Sequence, residues 1–123
     1  MINLTSLERS VLEQMIFEEI KDIDRARLLV STVRPTSRTF SPDAMDIRRC
    51  AGFYINISDC EFLGISPEKP RFSVQAFHPS LSIGADFILF KESSEGAFLE
   101  ATFYGESLLI EDLISPNHGF ILG

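Results

Sequence analysis

Between Phe53 and Tyr104, apolar and polar residues repeatedly alternate with a period of two. That period limits what the chain can fold into more than any other feature. Successive side chains of an extended strand point to opposite faces, so alternation buries one face and leaves the other to solvent. Phe53, Ile55 and Ile57 alternate with Tyr54, Asn56 and Ser58. Phe72, Val74 and Ala76 alternate with Ser73 and Gln75 until His78-Pro79 stops the run. The clearest unit is a hairpin. Ala85, Phe87 and Leu89 alternate with Asp86, Ile88 and Phe90, Glu92-Ser93-Ser94-Glu95-Gly96 reverses the chain, and Phe98 to Tyr104 returns. Gly96 supplies the positive φ that such turns use.

The first third of the chain has the helical period instead. Thr5 is placed to cap, with Glu8 three residues on as its reciprocal partner. Leu7, Val11, Leu12, Met15 and Ile16 then define an apolar stripe, which puts Glu8, Glu13 and Glu18 on the wet side. A second helix is expected from Asp22 or Asp24, burying Ala26, Leu29, Val30 and Val33 and ending before Pro35. Whether Glu19-Ile20-Lys21 is turn or continuous helix stays open. The run from Arg34 to Arg49 reads as a long connection anchored by Phe40 and Met45, with room for an edge strand. Leu63 to Pro67 reads as a loop between strands. Ser107 to Ile114 fits a short helix or a strand, Pro116 to Gly119 a turn, and Phe120 with Leu122 a last edge strand. Helices followed by strands predict one α+β domain over residues 1–123, two N-terminal helices packed on a mainly antiparallel, Phe-rich β-sheet.

Charge narrows the functional classes. The net charge is −7, and residues 61–123 carry 9 acidic against 3 basic side chains. Such a surface disfavours nucleic acid and anionic membrane, which need clustered Lys and Arg. It suits a basic protein partner. With no basic leader followed by an apolar run, and no stretch of about 20 apolar residues, the expected location is cytoplasmic. Cys50 and Cys60 are then expected to be free thiols.

No catalytic, cofactor-binding or metal site is expected. Cys50, Cys60, His78 and His118 lack the close pairing of zinc ligands. Cys60 stands between Asp59 and Glu61, which hold its thiol protonated if they are close in space. No nucleophile elbow, P-loop or dinucleotide fingerprint is present. Glu100 sits mid-strand and Asp86 on the preceding strand across the hairpin; they read as surface acids unless both point into a shared concavity. Arg25, Arg27, Arg34, Arg38, Arg48 and Arg49 form an anion-binding patch or, more simply, pair with the acidic half.

Aromatic placement points to binding. The return strand carries Phe98 and Tyr104 on one face, Leu99 and Phe103 on the other, and its partner adds Ile88 and Phe90. One helical layer covers only one face, leaving the second for sheet curvature, a further layer or another subunit. The expected partner is a second copy, giving a homodimer, or a basic protein. The electrostatic and aromatic candidates are Glu92, Glu95, Phe98, Glu100, Tyr104, Glu106, Glu111 and Asp112. Two other readings remain: a ligand or substrate pocket with Glu100, Tyr104 and His78 at its mouth, and a structural subunit of a larger assembly.

The segments Gly84-Ala85-Asp86-Phe87-Ile88-Leu89-Phe90 and Phe98-Leu99-Glu100-Ala101-Thr102-Phe103-Tyr104-Gly105-Glu106 resemble a hairpin of small uncharacterised bacterial proteins. The opening Leu4 to Leu12 and the segment Cys50-Ala51-Gly52-Phe53-Tyr54 are similar to the same group. Some of those proteins resemble immunity or antitoxin partners of bacterial toxins, which implies a non-enzymatic inhibitor acting by protein–protein binding. Ser107-Leu108-Leu109 departs from the group, where a Trp often follows the Tyr-Gly-Glu segment.

Overall fold

The computed structural model describes residues 2–58, 64–65, 68–92 and 96–123. Helix α1 spans Ser6–Ile20 and opens on the expected capping box: the Thr5 hydroxyl accepts from the Glu8 N–H, and Glu8 Oε1 accepts from the Thr5 N–H. Lys21, in the left-handed region at φ 57°, ends it. Asp22 then caps α2 (Ile23–Ser31), its carboxylate accepting from the Arg25 N–H. The Glu19 to Lys21 question is thereby resolved: helix runs through Ile20 and the turn is at Lys21.

Glu8 is not on the wet side as its spacing predicts. It is 1% exposed. Arg38 grips its carboxylate through two bonds, Nε to Oε2 at 2.7 Å and a terminal guanidinium nitrogen to Oε1 at 2.6 Å. The same guanidinium donates to the Asn3 carbonyl at 2.8 Å. A charge-assisted, bidentate pair satisfies the carboxylate after burial has stripped its water.

Arg38 lies on β1 (Arg34–Pro42), the edge strand for which the long connection left room. Phe40 anchors it, its ring 5.9 Å from Phe53. Met45 does not anchor: it is 92% exposed in the turn before β2. The remaining strands are β2 (Arg49–Ser58), β3 (Arg71–Phe77), β4 (Ala85–Lys91), β5 (Gly96–Thr102), β6 (Leu108–Leu109) and β7 (Ile121–Leu122). The ambiguous Ser107 to Ile114 stretch contains both alternatives, β6 and then the short helix α3 (Ile110–Leu113). The described sheet is antiparallel, in the order β1-β2-β5-β4-β3-β7, with β6 pairing the start of β2.

Register explains the core. Phe53, Ala101, Phe87 and Val74 form one row across β2, β5, β4 and β3; Ile55, Leu99, Leu89 and Phe72 form the next. Ala101 is small, so Phe53 and Phe87 meet over it edge-on at 6.3 Å. Phe103 and Phe120 extend this aromatic cluster at one end of the sheet. Leu7, Val11, Leu12, Met15 and Ile16 of α1, with Ala26 and Val30 of α2, join the same core. Each such side chain contributes roughly 1.5–3 kcal/mol of transfer free energy. The molecule is an α+β fold with two N-terminal helices packed on one face of a Phe-rich antiparallel sheet.

Candidate functional site

The alternation that buries Phe53, Phe87 and Leu99 turns their neighbours to the opposite face. There, Tyr54, Glu100, Ile88 and Ser73 form one row, and Asn56, Phe98, Phe90 and Arg71 the next. Thr102, Asp86 and Gln75 form a third. Both N-terminal helices pack against the other side, so this outer face carries apolar side chains with no described helix over them.

Its centre is aromatic. Phe90 and Phe98, directly paired across β4 and β5, stack at 4.8 Å with 21° between their planes. Both rings and Ile88 are half-buried, and Tyr54 is 40% exposed. Glu100 stands exposed between Tyr54 and Ile88. Asp86 lies diagonally beside it. Neither carboxylate has a cationic partner among the described residues. Arg71, at the β3 margin, is the one basic side chain in these three rows.

The sequence candidates do not form a single patch. Phe98 and Glu100 occupy the outer face. Tyr104 lies past the end of β5 in a turn, at φ 57°, and so does not continue the Phe98 face as its spacing predicts. Glu106 is tied inward, accepting from the Ser82 N–H at 2.8 Å and the Ser82 hydroxyl at 3.3 Å. Glu111 and Asp112 lie exposed on α3, beside the start of β2, whereas Glu92 follows β4 at the other end. The length of ten-residue β2, roughly 30 Å, separates those two ends. Glu95 lies outside the described residues, as do Cys60 and its acidic neighbours.

The three residues of the pocket reading occupy three different settings. Glu100 is on the outer face, Tyr104 is in its turn, and His78 lies 4.9 Å from Phe120 of the aromatic core, its ring tilted by 57°. His78 Nδ1 accepts from the Ser80 N–H, so its other nitrogen donates to the His118 carbonyl at 3.1 Å. His118 Nδ1 likewise accepts from the Phe120 N–H. Burial, and then the neighbouring His78, lower the His118 pKa. These roles fix two loops to each other. Among the described residues no group of three metal-ligating side chains comes together.

Cys50 is a free, buried thiol whose pKa is raised by desolvation. The arginines divide. Arg38 holds Glu8, Arg48 pairs with Asp46 at 2.9 Å, and Arg49 donates to both the hydroxyl and the carbonyl of Ser107. Ser107 in turn donates to Asp43 at 2.9 Å, which ties the β1–β2 turn to the segment after β5. The Met45 N–H, the Ser107 hydroxyl and the Arg49 charge hold the Asp43 carboxyl below its usual range. Among the described residues Arg27 and Arg34 take no such partner; with Arg9, which the sequence did not single out, they line a groove. The sequence grouped Arg27 and Arg34 with other arginines as a candidate anion-binding patch; Arg9, on a different element, joins them only in the fold. Compared with known proteins, the chain matches no family model, no curated protein and no solved structure. No described helix is long and apolar enough to cross a membrane.

Proposed function

We propose that this is a cytoplasmic, non-enzymatic protein that binds a basic protein partner through the outer face of its sheet, in the manner of an immunity-like inhibitor. One observation carries the reading: the stacked Phe90 and Phe98, with Ile88 and Tyr54, surround carboxylates that no described cation neutralises. Aromatic anchors give buried contact at low entropic cost, and the charges select and steer a cationic surface. The chain's net charge of −7 acts in the same direction at long range.

The test is comparative capture from a bacterial lysate at low and high salt, using wild type, Phe98→Ser, Glu100→Lys and Glu111→Lys. A basic protein held by wild type and Glu111→Lys, but lost by the two outer-face variants and at high salt, supports the reading. Binding that survives both outer-face substitutions overturns it. Sedimentation velocity decides the other occupant: a dimer abolished by Phe98→Ser would make a second copy, not a basic partner, the ligand of this face.

A further inference from the structure

We infer that the groove between the start of α1, the end of α2 and the start of β1 binds a phosphate monoester carried on a hydroxylated carbon body, such as a sugar phosphate or a nucleotide. It is distinct from the outer sheet face and does not depend on it.

The groove encloses about 800 Å³, within the range of small-molecule sites. Arg9, Arg27 and Arg34 line it, each on a different element. All three are exposed and none has an acceptor in the described structure, unlike Arg38, Arg48 and Arg49. Among the described residues no Asp or Glu is in the lining. In a chain with net charge −7, a concavity holding three unopposed guanidiniums is a local reversal of the field, and concave walls focus it. Guanidinium forks match the paired oxygens of phosphate, and three of them suit a dianion better than a single carboxylate.

The hydroxyls in the lining sharpen the class. Ser31 donates to the Leu28 carbonyl, Thr32 to Leu29 at 2.7 Å, and Thr36 to Asn56 at 3.3 Å. In this arrangement each directs its proton to a backbone carbonyl, which leaves its oxygen lone pairs open to a ligand hydroxyl. Phosphate oxygens are therefore served by the arginines, and the Ser and Thr oxygens call for hydroxyl donors on the ligand. Ile2, Leu4 and Pro35, each half-buried, supply apolar wall for its carbons. The backbone also departs from regularity here. The β1–β2 register shifts between Pro35 and Ser37, which leaves Thr36 as a bulge at the groove rim. Bulges often re-aim side chains beside binding sites.

Amide NMR titration of the full chain with ribose 5-phosphate, adenosine monophosphate, adenosine and inorganic phosphate tests the inference. Expected are saturable shifts in the amides flanking Arg9, Arg27 and Arg34 with at least one ester, no saturation with adenosine, and about tenfold weaker binding of inorganic phosphate. Which ester binds tighter separates the sugar-phosphate source from the nucleotide. Arg9→Gln, Arg27→Gln and Arg34→Gln should each weaken the ester about tenfold, the loss expected for one charged hydrogen bond. Arg25→Gln, on the same helix as Arg27 but outside the lining, should change nothing. Because the three arginines are exposed, the variants should keep the wild-type spectrum. The inference fails if neither ester saturates, if binding survives the three groove substitutions, or if inorganic phosphate binds as tightly as the esters.

Discussion

Glu8 and Arg38 show how one buried pair ties a helix start to an edge strand. Replacing Arg38 by Met strands a carboxylate that is 1% exposed, which should cost about 3 kcal/mol in urea denaturation. Combining it with Glu8→Gln should recover much of that loss, since a neutral amide oxygen can still accept from the Thr5 N–H. Stability of the double variant equal to that of Arg38→Met alone would show that the pair's charge is not what matters. His118 acts through protons. Its folded pKa lies below the ordinary 6.5, so the unfolded chain takes up a proton first as pH falls. The contribution is therefore complete above 6.5 and diminishes as pH drops from there through the folded pKa. Protonation also breaks the bond by which Nδ1 accepts from the Phe120 N–H. Between about pH 7.5 and about pH 5.5, His118→Asn should lose less stability than wild type. Equal slopes would assign the pH response to other groups.

At the scale of elements, the fold depends on close backbone approaches and caps. A Cβ on Gly52 would lie 2.4 Å from the Ala101 carbonyl oxygen, at the Gly52–Thr102 end of the β2–β5 pairing. Backbone cannot swing aside as a side-chain tip can, so Gly52→Ala should cost about 1–3 kcal/mol and weaken hydrogen-exchange protection along both strands. Unchanged protection would mean that the pairing relaxes there freely. Thr5→Ala removes the α1 cap and should cost about 1 kcal/mol. The two prolines of β1 and the bulge at Thr36 have a different consequence, since each blunts an edge open to pairing with another chain.

For the whole molecule, the two sheet faces should respond differently to losing a phenylalanine. Phe87 is fully buried among Phe53 and Phe120, and Phe87→Ala should cost about 3–5 kcal/mol. Phe98, half-buried and stacked on Phe90, should cost only about 1 kcal/mol as Ser. Similar losses at both sites, read from urea midpoints, would make the outer face part of the folding core and remove the case for binding through it. The two proposed sites are also separable. The outer-face variants should leave phosphate-ester titrations unchanged, and Arg27→Gln should leave partner capture unchanged.

What could be read from the chain was local. The Thr5–Glu8 box, the helical stripe of α1, the alternation in β2 to β5 and the turn signals all depend on residues within a few positions of one another. Those short-range patterns were enough for the α+β class, for the core face, and for the surplus of apolar residues on the outer face. The missing part was non-local. Glu8 is buried only because Arg38, 30 residues away, reaches it. The order β1-β2-β5-β4-β3-β7 follows from how whole strands pair, which no single run of residues encodes. Phe98 and Glu100 were legible as face residues because alternation assigns them, whereas Tyr104, Glu106 and Glu111 were dispersed by turns whose geometry depends on long-range contacts. The arginine groove lies at the far end of this scale: Arg27 and Arg34 were legible as part of a candidate anion-binding patch, but Arg9 joins them, and Arg38, Arg48 and Arg49 leave them, only when packing sets three elements around one groove. Periodicity decides which side of an element is buried; only packing decides which exposed side chains become neighbours.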